Sequence, residues 1–432
     1  MRRSLIVFFW LSFGIATARA QAPVRLTLDD AIARGLEASH RVAEIDARQD
    51  AARAVEAQRK TESMPLVALL AGYYRTNHVD EFGPPGNLIY ADVPDNIRSR
   101  VDLLWPIYTG GRTSALLRAA SAETSAIAQD RDAVSADLKL DVTRAYWAVL
   151  TARAATDVVS QALARIAAQL GDVRNQLNVG LVPPSDVLTL EAQQARQQML
   201  LIEAQNLAET TAADFRRLTG LTPDTPLELV DRIETPPAFS EQVSALVETA
   251  RASRAERKAL EIRIGALGDR KAAAEAGRRP SITTVGGYDV ARPNPKIFPH
   301  LAVWHPSWDI GVNLTWPLFD SGRVRAETAE AAANQRAAEE RLKDFDANMD
   351  VEVRRSAADV ASAEAAIAAA EVGVRSATEA RRVLADRFSA GLATNTEVLD
   401  AQVALLQAEL DRTRAFANAH LAAARLDRAV GR

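Results

Sequence analysis

Apolar and polar side chains alternate over a segment late in the chain, from Trp308 to Leu318. One face of this segment carries Trp308, Ile310, Val312, Leu314, Trp316 and Leu318, and the other carries Asp309, Gly311, Asn313 and Thr315. A period of two over about ten residues, with tryptophan near the ends, is typical of a tilted membrane strand. A half-buried strand of a soluble sheet alternates in the same way. The pattern therefore predicts a strand and by itself leaves its surroundings open.

Helical periodicity dominates the rest of the chain. An Ala-rich stretch from Leu28 to about Glu62 is predicted to be one helix that ends at Met64-Pro65. Two longer stretches, 112–178 and 323–389, contain no proline. As continuous helices they would each reach roughly 100 Å, which is typical of coiled coils or bundles. An Ala-rich helical linker is the alternative for these stretches.

The chain repeats itself. NVGLVPPSDVL, from Asn178, returns as SAGLATNTEVL, and LWPIYTGGR, from Leu104, returns as TWPLFDSGR. We therefore predict an internal duplication with a first repeat at 21–230 and a second at 231–432, joined by a Pro-rich bridge. Each repeat would contain a helix, a β-hairpin (65–108 and 280–319), a long helix (112–178 and 323–389), a sharp turn and a final helix.

The first twenty residues have the order of a secretory signal peptide. Arg2 and Arg3 precede an apolar run that ends in Ala18-Arg19-Ala20. An N-terminal membrane anchor is the alternative, although the run is shorter than the roughly 20 residues that a spanning helix needs. The chain contains no cysteine, so it forms no disulfides, and its net charge of −4 does not suggest a nucleic-acid partner. We predict an exported bacterial protein with a signal peptide at 1–20.

Export changes how the alternating strands are interpreted. After the leader no run of 18 apolar residues follows, so membrane insertion would have to use strands in a closed barrel. Four strands per chain are too few, since the smallest membrane barrels have about eight. Three chains would supply twelve strands and a lumen. The alternative is a periplasmic coiled-coil adaptor or scaffold without a membrane barrel, which explains the long helices but not the alternating strands.

The sharp turns have recognisable capping chemistry. Gly391 follows the second long helix, where a left-handed residue is required, and Thr394 with Glu397 fits a capping box. In the first repeat Pro184 falls at the first helical position and Asp186 at the third. Both turns are predicted to reverse the chain into an antiparallel helix.

Signatures of catalysis are missing from the sequence. The five histidines lack metal-ligand spacing, and we find no nucleophile elbow, phosphate-binding loop or dinucleotide fingerprint. We therefore predict a protein that is not an enzyme and uses no cofactor or metal.

Several of these motifs together resemble the TolC family of outer-membrane efflux and secretion channels. The resemblance runs from about Leu26 to Leu426 and rests on four motifs. They are LTLDDAI from Leu26, the prolines Pro65 and Pro280 that open the first strands, the duplicated W-P-x-[FY]-x-x-G-R segments from Trp105 and Trp316, and the two G-L turns before a helix start. The resemblance implies an α+β membrane protein with a trimeric TolC-like fold. Four β-strands per chain would contribute to a 12-stranded outer-membrane barrel, above a long periplasmic α-helical coiled-coil tunnel.

The same resemblance implies partners and site residues. A homotrimer in outer-membrane lipid would meet a periplasmic adaptor and an inner-membrane pump of the RND or ABC type, and would serve as a passive exit duct for efflux or type I secretion. The adaptor would dock at the turns, on Val179, Gly180, Leu181, Ala390, Gly391 and Leu392. Glu397 and Asp400 would form an acidic ring at the tunnel aperture, although a capping role for Glu397 and a solvated Asp400 is the alternative. Trp105 and Trp316 would mark the membrane interface at the periplasmic edge of the barrel.

Overall fold

The computed structural model describes residues 23–234 and 241–432. The predicted signal peptide lies outside the described residues. The helices are α1 (Leu28–Ala38), α2 (His40–Thr61), α3 (Arg112–Asn178), α4 (Pro184–Leu218), α5 (Val243–Ser253), α6 (Ala255–Glu275), α7 (Arg323–Ser389) and α8 (Asn395–Val430). The strands are β1 (Val24–Leu26), β2 (Leu66–Arg75), β3 (Asp95–Tyr108), β4 (Leu227–Leu229), β5 (Ser281–Arg292) and β6 (His305–Thr315). In the described part of the chain, no helix is both long enough and apolar enough to cross a membrane.

The prediction of one helix from Leu28 to about Glu62 is wrong at one residue. Ser39 has an extended backbone (φ −75°, ψ 120°) and separates α1 from α2. Arg254 separates α5 from α6 with nearly the same backbone (φ −57°, ψ 119°), and it lies 215 residues further along. Serine competes with the helix backbone for hydrogen bonds and favours helix ends, which explains the break in the first repeat. In the second repeat the equivalent residue is Arg254, which is held in place by its ion pairs with Glu256 and Glu352.

The chain divides into two compact units, and each draws on both sequence repeats. The first contains the described residues of Met1–Ser39, Asp141–Pro237 and Ala363–Leu421. The second contains the described residues of His40–Leu140, Ala238–Ser362 and Ala422–Arg432. The division of the chain into repeats at 230/231 therefore stays a prediction about sequence, because compact packing in space follows different boundaries.

The first unit packs long helices around a small parallel sheet. Strand β1 pairs with β4, which lies in the segment we predicted only as a Pro-rich bridge. Tyr146 of α3 is fully buried beneath this sheet, and its hydroxyl donates to a carboxylate oxygen of Asp231 at 2.7 Å. Burial first, and then this hydrogen bond, raise the pKa of Tyr146. The carboxylate also accepts from the backbone N–H of Leu28 at 2.9 Å, so it ties the start of α1 to α3.

The second unit contains an antiparallel sheet of four strands in the order β2-β3-β5-β6. The hairpins β2-β3 and β5-β6 come from the two repeats, and they meet through the pairing of β3 with β5. Val101 lies opposite Tyr288, and Tyr288 lies opposite Trp308. In the described chain, β2 and β6 each pair along one side only and so form the two edges of the sheet.

Candidate functional site

Both sharp turns end their long helices with the same hydrogen bonds. After α3, Gly180 N donates to Leu177 O and Leu181 N donates to Gln176 O, each at 2.9 Å. After α7, Gly391 N donates to Phe388 O at 2.9 Å and Leu392 N donates to Arg387 O at 2.8 Å. These pairs form a Schellman motif, which requires a left-handed residue at the glycine. Gly180 has φ +75° and Gly391 has φ +73°, so the predicted helix ends are confirmed.

The apolar residue after each glycine points away from the packed helices. A Schellman motif commonly brings this residue into contact with the last turn of its own helix. Leu181 is nevertheless 75% exposed and Leu392 is 69% exposed. The next residue, Val182, packs instead against the buried cluster of Ile166, Leu170, Val173, Val187, Leu190 and Leu399. Two leucines at equivalent positions are thus presented to the surroundings on well-packed turns.

The helices that follow the turns start as predicted. Pro184 is the first residue of α4, and Asp186 lies at its third position. Thr394 and Glu397 form a reciprocal capping box, in which Thr394 N donates to Glu397 Oε2 at 2.7 Å and Glu397 N donates to Thr394 Oγ1 at 3.3 Å. The backbone hydrogen bond from Thr394, then its side-chain hydrogen bond, lower the pKa of Glu397. Asp400 lies on the exposed side of α8.

Amide side chains that are buried (Asn395, Gln402) or half-buried (Gln169) connect the two turns, an arrangement that sequence reasoning missed. Asn395 is buried at the start of α8 and donates to the backbone carbonyl of Asp186 at 3.4 Å. Its side-chain oxygen accepts from Gln169 of α3 at 2.8 Å, and Gln169 in turn accepts from Gln402 of α8 at 2.5 Å. Because a carbonyl can only accept, Asp186 fixes the direction of the whole chain of amides. No local sequence pattern predicts this chain of hydrogen bonds, since the bonded residues lie more than 200 positions apart along the chain.

One face of the four-stranded sheet is apolar. The other face is polar along β3, β5 and β6, but carries Leu66, Leu70 and Leu104 where β2 pairs with β3. Residues paired directly across strands point to the same side of a sheet. The register therefore places Leu69, Val101, Tyr288, Trp308 and Ile310 on one face with the other apolar residues of the alternating pattern. Trp308, Ile310, Val312 and Leu314 are exposed on this face. The alternation predicted from the sequence is confirmed from Trp308 to Thr315, and its apolar side is uncovered in the single chain. The predicted continuation to Leu318 is wrong, because β6 ends at Thr315 and the following Trp316-Pro317 cannot extend the ladder.

The polar face carries an ion-pair lattice across three strands. Arg98 binds both carboxylate oxygens of Asp289 at 2.6 and 2.5 Å. Arg100 bonds to Asp102 at 2.5 Å, to Asp289 at 2.9 Å and to both oxygens of Asp309 at 2.9 and 3.0 Å. Lys296, from the loop between β5 and β6, also bonds to Asp309. The Asp289 side chain has no exposed surface, so these pairs hold a buried carboxylate.

Sequence reasoning also missed this lattice, although a signal for it exists. Arg98 and Arg100 occupy every second position of β3. Asp289 of β5 and Asp309 of β6 lie on the same face of neighbouring strands. Charges at every second position mark one face of a strand, but their partners lie about 190 to 210 residues away. Only the register of β3 with β5 brings them together.

The two tryptophans of the repeated W-P motif occupy equivalent environments. Trp105 lies near the end of β3 and Trp316 directly follows β6. Both side chains are exposed. Each indole N–H donates to a backbone carbonyl just before the first strand of its own hairpin, Ser63 at 3.3 Å and Arg278 at 3.1 Å.

These features define a duplicated, mostly helical chain with one amphipathic sheet and two exposed apolar turns. A sequence profile described as "Outer membrane efflux protein" matches residues 31–221 and 246–432. The chain belongs to this family of outer-membrane channel proteins. The two matched regions also establish the internal duplication.

Two relatives and one solved structure illustrate the membership. The chain is similar to the protein CyaE of Bordetella pertussis, with 27% identity over 78% of this chain and 70% of that protein. It is 25% identical to the outer membrane protein TolC of Vibrio cholerae, over 90% of this chain and 86% of that protein. The crystal structure of the outer membrane protein VceC from Vibrio cholerae shares the fold, with a TM-score of 0.78 and 20% identity over 94% of this chain and 96% of that one.

The predicted class of protein is therefore confirmed. The chain is an outer-membrane channel for efflux or secretion, with a TolC-like fold and a helical periplasmic part. The alternative of a periplasmic coiled-coil adaptor or scaffold without a membrane barrel is not supported. Family membership does not test the individual site residues, which stay predictions.

Proposed function

We propose that three copies of the chain join their four-stranded sheets into a twelve-stranded barrel in the outer membrane. The observation that carries this proposal is the state of the sheet in one chain. Among the residues that the structure describes, strands β2 and β6 are unpaired along one side, and the face that contains Trp308 and Ile310 is apolar and exposed. In lipid each unpaired backbone group costs several kcal/mol, so the edges require partner strands. Two chains would close eight strands around side chains, whereas three leave a water-filled lumen.

In this assembly the apolar face contacts lipid and the polar face lines the lumen. The long helices α3 and α7 continue the duct as a periplasmic tunnel. Trp105 and Trp316 lie at the periplasmic membrane interface, where tryptophan is favoured. The chain has a conducting role rather than a catalytic one, so the energy for transport comes from its partners.

Those partners are a periplasmic adaptor and an inner-membrane pump of the RND or ABC type. The adaptor docks on the turn segments Val179–Leu181 and Ala390–Leu392, because exposed leucines on rigid turns offer apolar surface to a partner. Glu397 and Asp400 face the axis at the tunnel aperture, where three copies make an acidic ring.

Cysteine labelling tests the barrel directly, because the chain has no cysteine of its own. Asn313 and Val312 are neighbours in β6 on opposite faces of the sheet. In planar bilayers, a charged methanethiosulfonate reagent should reduce the current through Asn313→Cys channels. Val312→Cys channels should be unaffected, since lipid excludes the reagent. Equal block of both variants, or block of Val312→Cys alone, would overturn the proposal.

A further inference from the structure

The strand residues on the polar face of the sheet have a net negative charge, and one loop residue neutralises it. Among its strand residues, β3 contributes Arg98, Arg100 and Asp102, β5 contributes Asp289, and β6 contributes Asp309. Two cations therefore meet three carboxylates, which leaves one negative charge per chain. Lys296 lies outside the strands, yet its ammonium group bonds to Asp309. With Lys296 the lattice has equal numbers of positive and negative groups.

The side chains of the lattice also lie close to the surface of the sheet. Strand β5 has glycine at position 287, directly between its register partners Asp102 and Asp309. A Cβ atom at this position would lie 2.1 Å from Arg100 Nη2 and 2.4 Å from its Cζ. The guanidinium group thus occupies the space that any other residue at 287 would fill. Because Arg100 lies across the strands, it does not project from the face.

We propose that this lattice is a charge-balanced belt of the export path, in which Lys296 sets the balance and thereby the ionic selectivity of the barrel. This inference rests on the proposed trimeric barrel, whose lumen the polar face lines. A wall without net fixed charge neither concentrates nor repels ions of one sign, whereas rings of unpaired charge in a pore select ions. The barrel therefore passes cationic, anionic and zwitterionic cargo, and the partners select among them.

The test compares variants of the full-length trimer in planar bilayers under a KCl gradient. All are made in a Glu397→Gln, Asp400→Asn parent, so that the acidic ring proposed at the aperture does not set the reversal potential. Lys296→Met leaves one unpaired negative charge per chain, while Asp309 keeps its bonds to Arg100. The reversal potential should shift towards that of K⁺, with PK/PCl rising on the order of twofold. Asp309→Asn should shift the reversal potential towards that of Cl⁻, because it removes the carboxylate that both Arg100 and Lys296 bind and leaves one net positive charge per chain.

Arg75→Met is the matched control. Arg75 pairs with Asp95 at 3.5 Å, and their register places both on the apolar face. This variant removes the same charge from an ion pair on the lipid side, so the reversal potential should not change. Heat-stable trimers on gels would verify assembly of each variant.

The outcomes separate the belt from the barrel. If Asn313→Cys current is blocked but Lys296→Met and Asp309→Asn keep the reversal potential of their Glu397→Gln, Asp400→Asn parent, the belt is wrong and the barrel stands. If Asn313→Cys is not blocked, the polar face does not line the lumen and both proposals fail. Opposite shifts for the two belt variants, with none for Arg75→Met, would establish the belt.

Discussion

The indole nitrogen of Trp316 donates to the backbone carbonyl of Arg278 at 3.1 Å, across the two ends of one β-hairpin. Trp105 makes the equivalent bond to Ser63 at 3.3 Å in the first repeat. Each acceptor lies two residues before the proline that opens the hairpin, Pro65 or Pro280. The duplication has therefore preserved a contact as well as a motif. It closes each hairpin at its base.

Replacement of both tryptophans by phenylalanine should weaken this closure. Trp105→Phe with Trp316→Phe retains an aromatic ring but removes both N–H donors, each worth about 1 kcal/mol. The proposed trimer should dissociate at a lower temperature in a heat-modifiability assay on gels. Tyr108→Phe is the control, since its exposed hydroxyl makes no hydrogen bond within the described residues. An unchanged dissociation temperature would mean that the bonds are dispensable.

The buried amide chain should stabilise both turns together. Asn395→Leu leaves Gln169 without its acceptor and removes the second donor to the carbonyl of Asp186, which also accepts within α4. Because both groups are only partly buried, the cost should be about 1 kcal/mol for each lost hydrogen bond. Hydrogen exchange followed by mass spectrometry should show faster exchange at the starts of both α4 and α8. Gln407→Leu, which removes an exposed amide bonded to Asp411, should leave both unchanged. Faster exchange in α8 alone would show that the chain does not couple the turns.

Local sequence patterns predicted the parts of this fold that depend on near neighbours. Strand alternation in β6, the glycines of the turns and the Thr394–Glu397 capping box all involve residues within a few positions of one another. The helix break at Ser39 was missed because no proline or glycine marks it. Comparing the sequences of the two repeats does not reveal this break, because the equivalent residue Arg254 is not a helix breaker either.

The charged and polar networks escaped prediction for a different reason. Arg100 and Asp309 are 209 residues apart, and Gln402 and Gln169 are 233 apart. Their bonding depends on strand register and on the packing of helices from both repeats. The sequence indicated which face a residue occupies but not which distant residue shares that face.

The Glu256 network should make the second unit sensitive to acid. Burial alone would raise the pKa of Glu256, but hydrogen bonds from Arg254 and then Arg428 outweigh it and lower the pKa to about 2. Because the pKa is lowered on folding, the stabilisation is complete above the ordinary value of 4.5 and is lost as the pH falls towards 2. The ionised Glu256 carboxylate therefore contributes about 2–3 kcal/mol to the free energy of unfolding at neutral pH.

Denaturant unfolding of wild type and Glu256→Gln as a function of pH measures this contribution. Wild type should be the more stable protein at neutral pH, and the difference should shrink between pH 4.5 and 2. Glu340→Gln, in an exposed pair with Lys343, should cost at most about 1 kcal/mol. A difference that does not depend on pH would show that Glu256 acts through packing rather than charge.

The exposed leucines of the turns should be required for adaptor docking. Leu181→Asp and Leu392→Asp place a charge on apolar contact surface, so adaptor cross-linking and efflux should both fall, and most strongly in the double variant. The fold should be unaffected, because both side chains are largely exposed. Val182→Asp should instead lower thermal stability, since Val182 packs on the buried cluster beneath the turns. Unchanged cross-linking in the double leucine variant would exclude docking at these residues.

The acidic ring can be separated from the capping role of Glu397. Glutamine at the third helical position also completes a capping box, so Glu397→Gln removes the charge and keeps the hydrogen bond to Thr394. Combined with Asp400→Asn, it should lower cation conductance and weaken block by multivalent cations, because in the proposed trimer three copies of each carboxylate would attract cations to a narrow aperture. Glu397→Ala loses the charge and the acceptor for Thr394 N, although its own backbone N–H still donates to Thr394 Oγ1, so it should in addition loosen the start of α8. If the charge-neutral, cap-preserving pair conducts cations and responds to multivalent ions as wild type does, Glu397 serves only as a cap and Asp400 only as a solvated side chain.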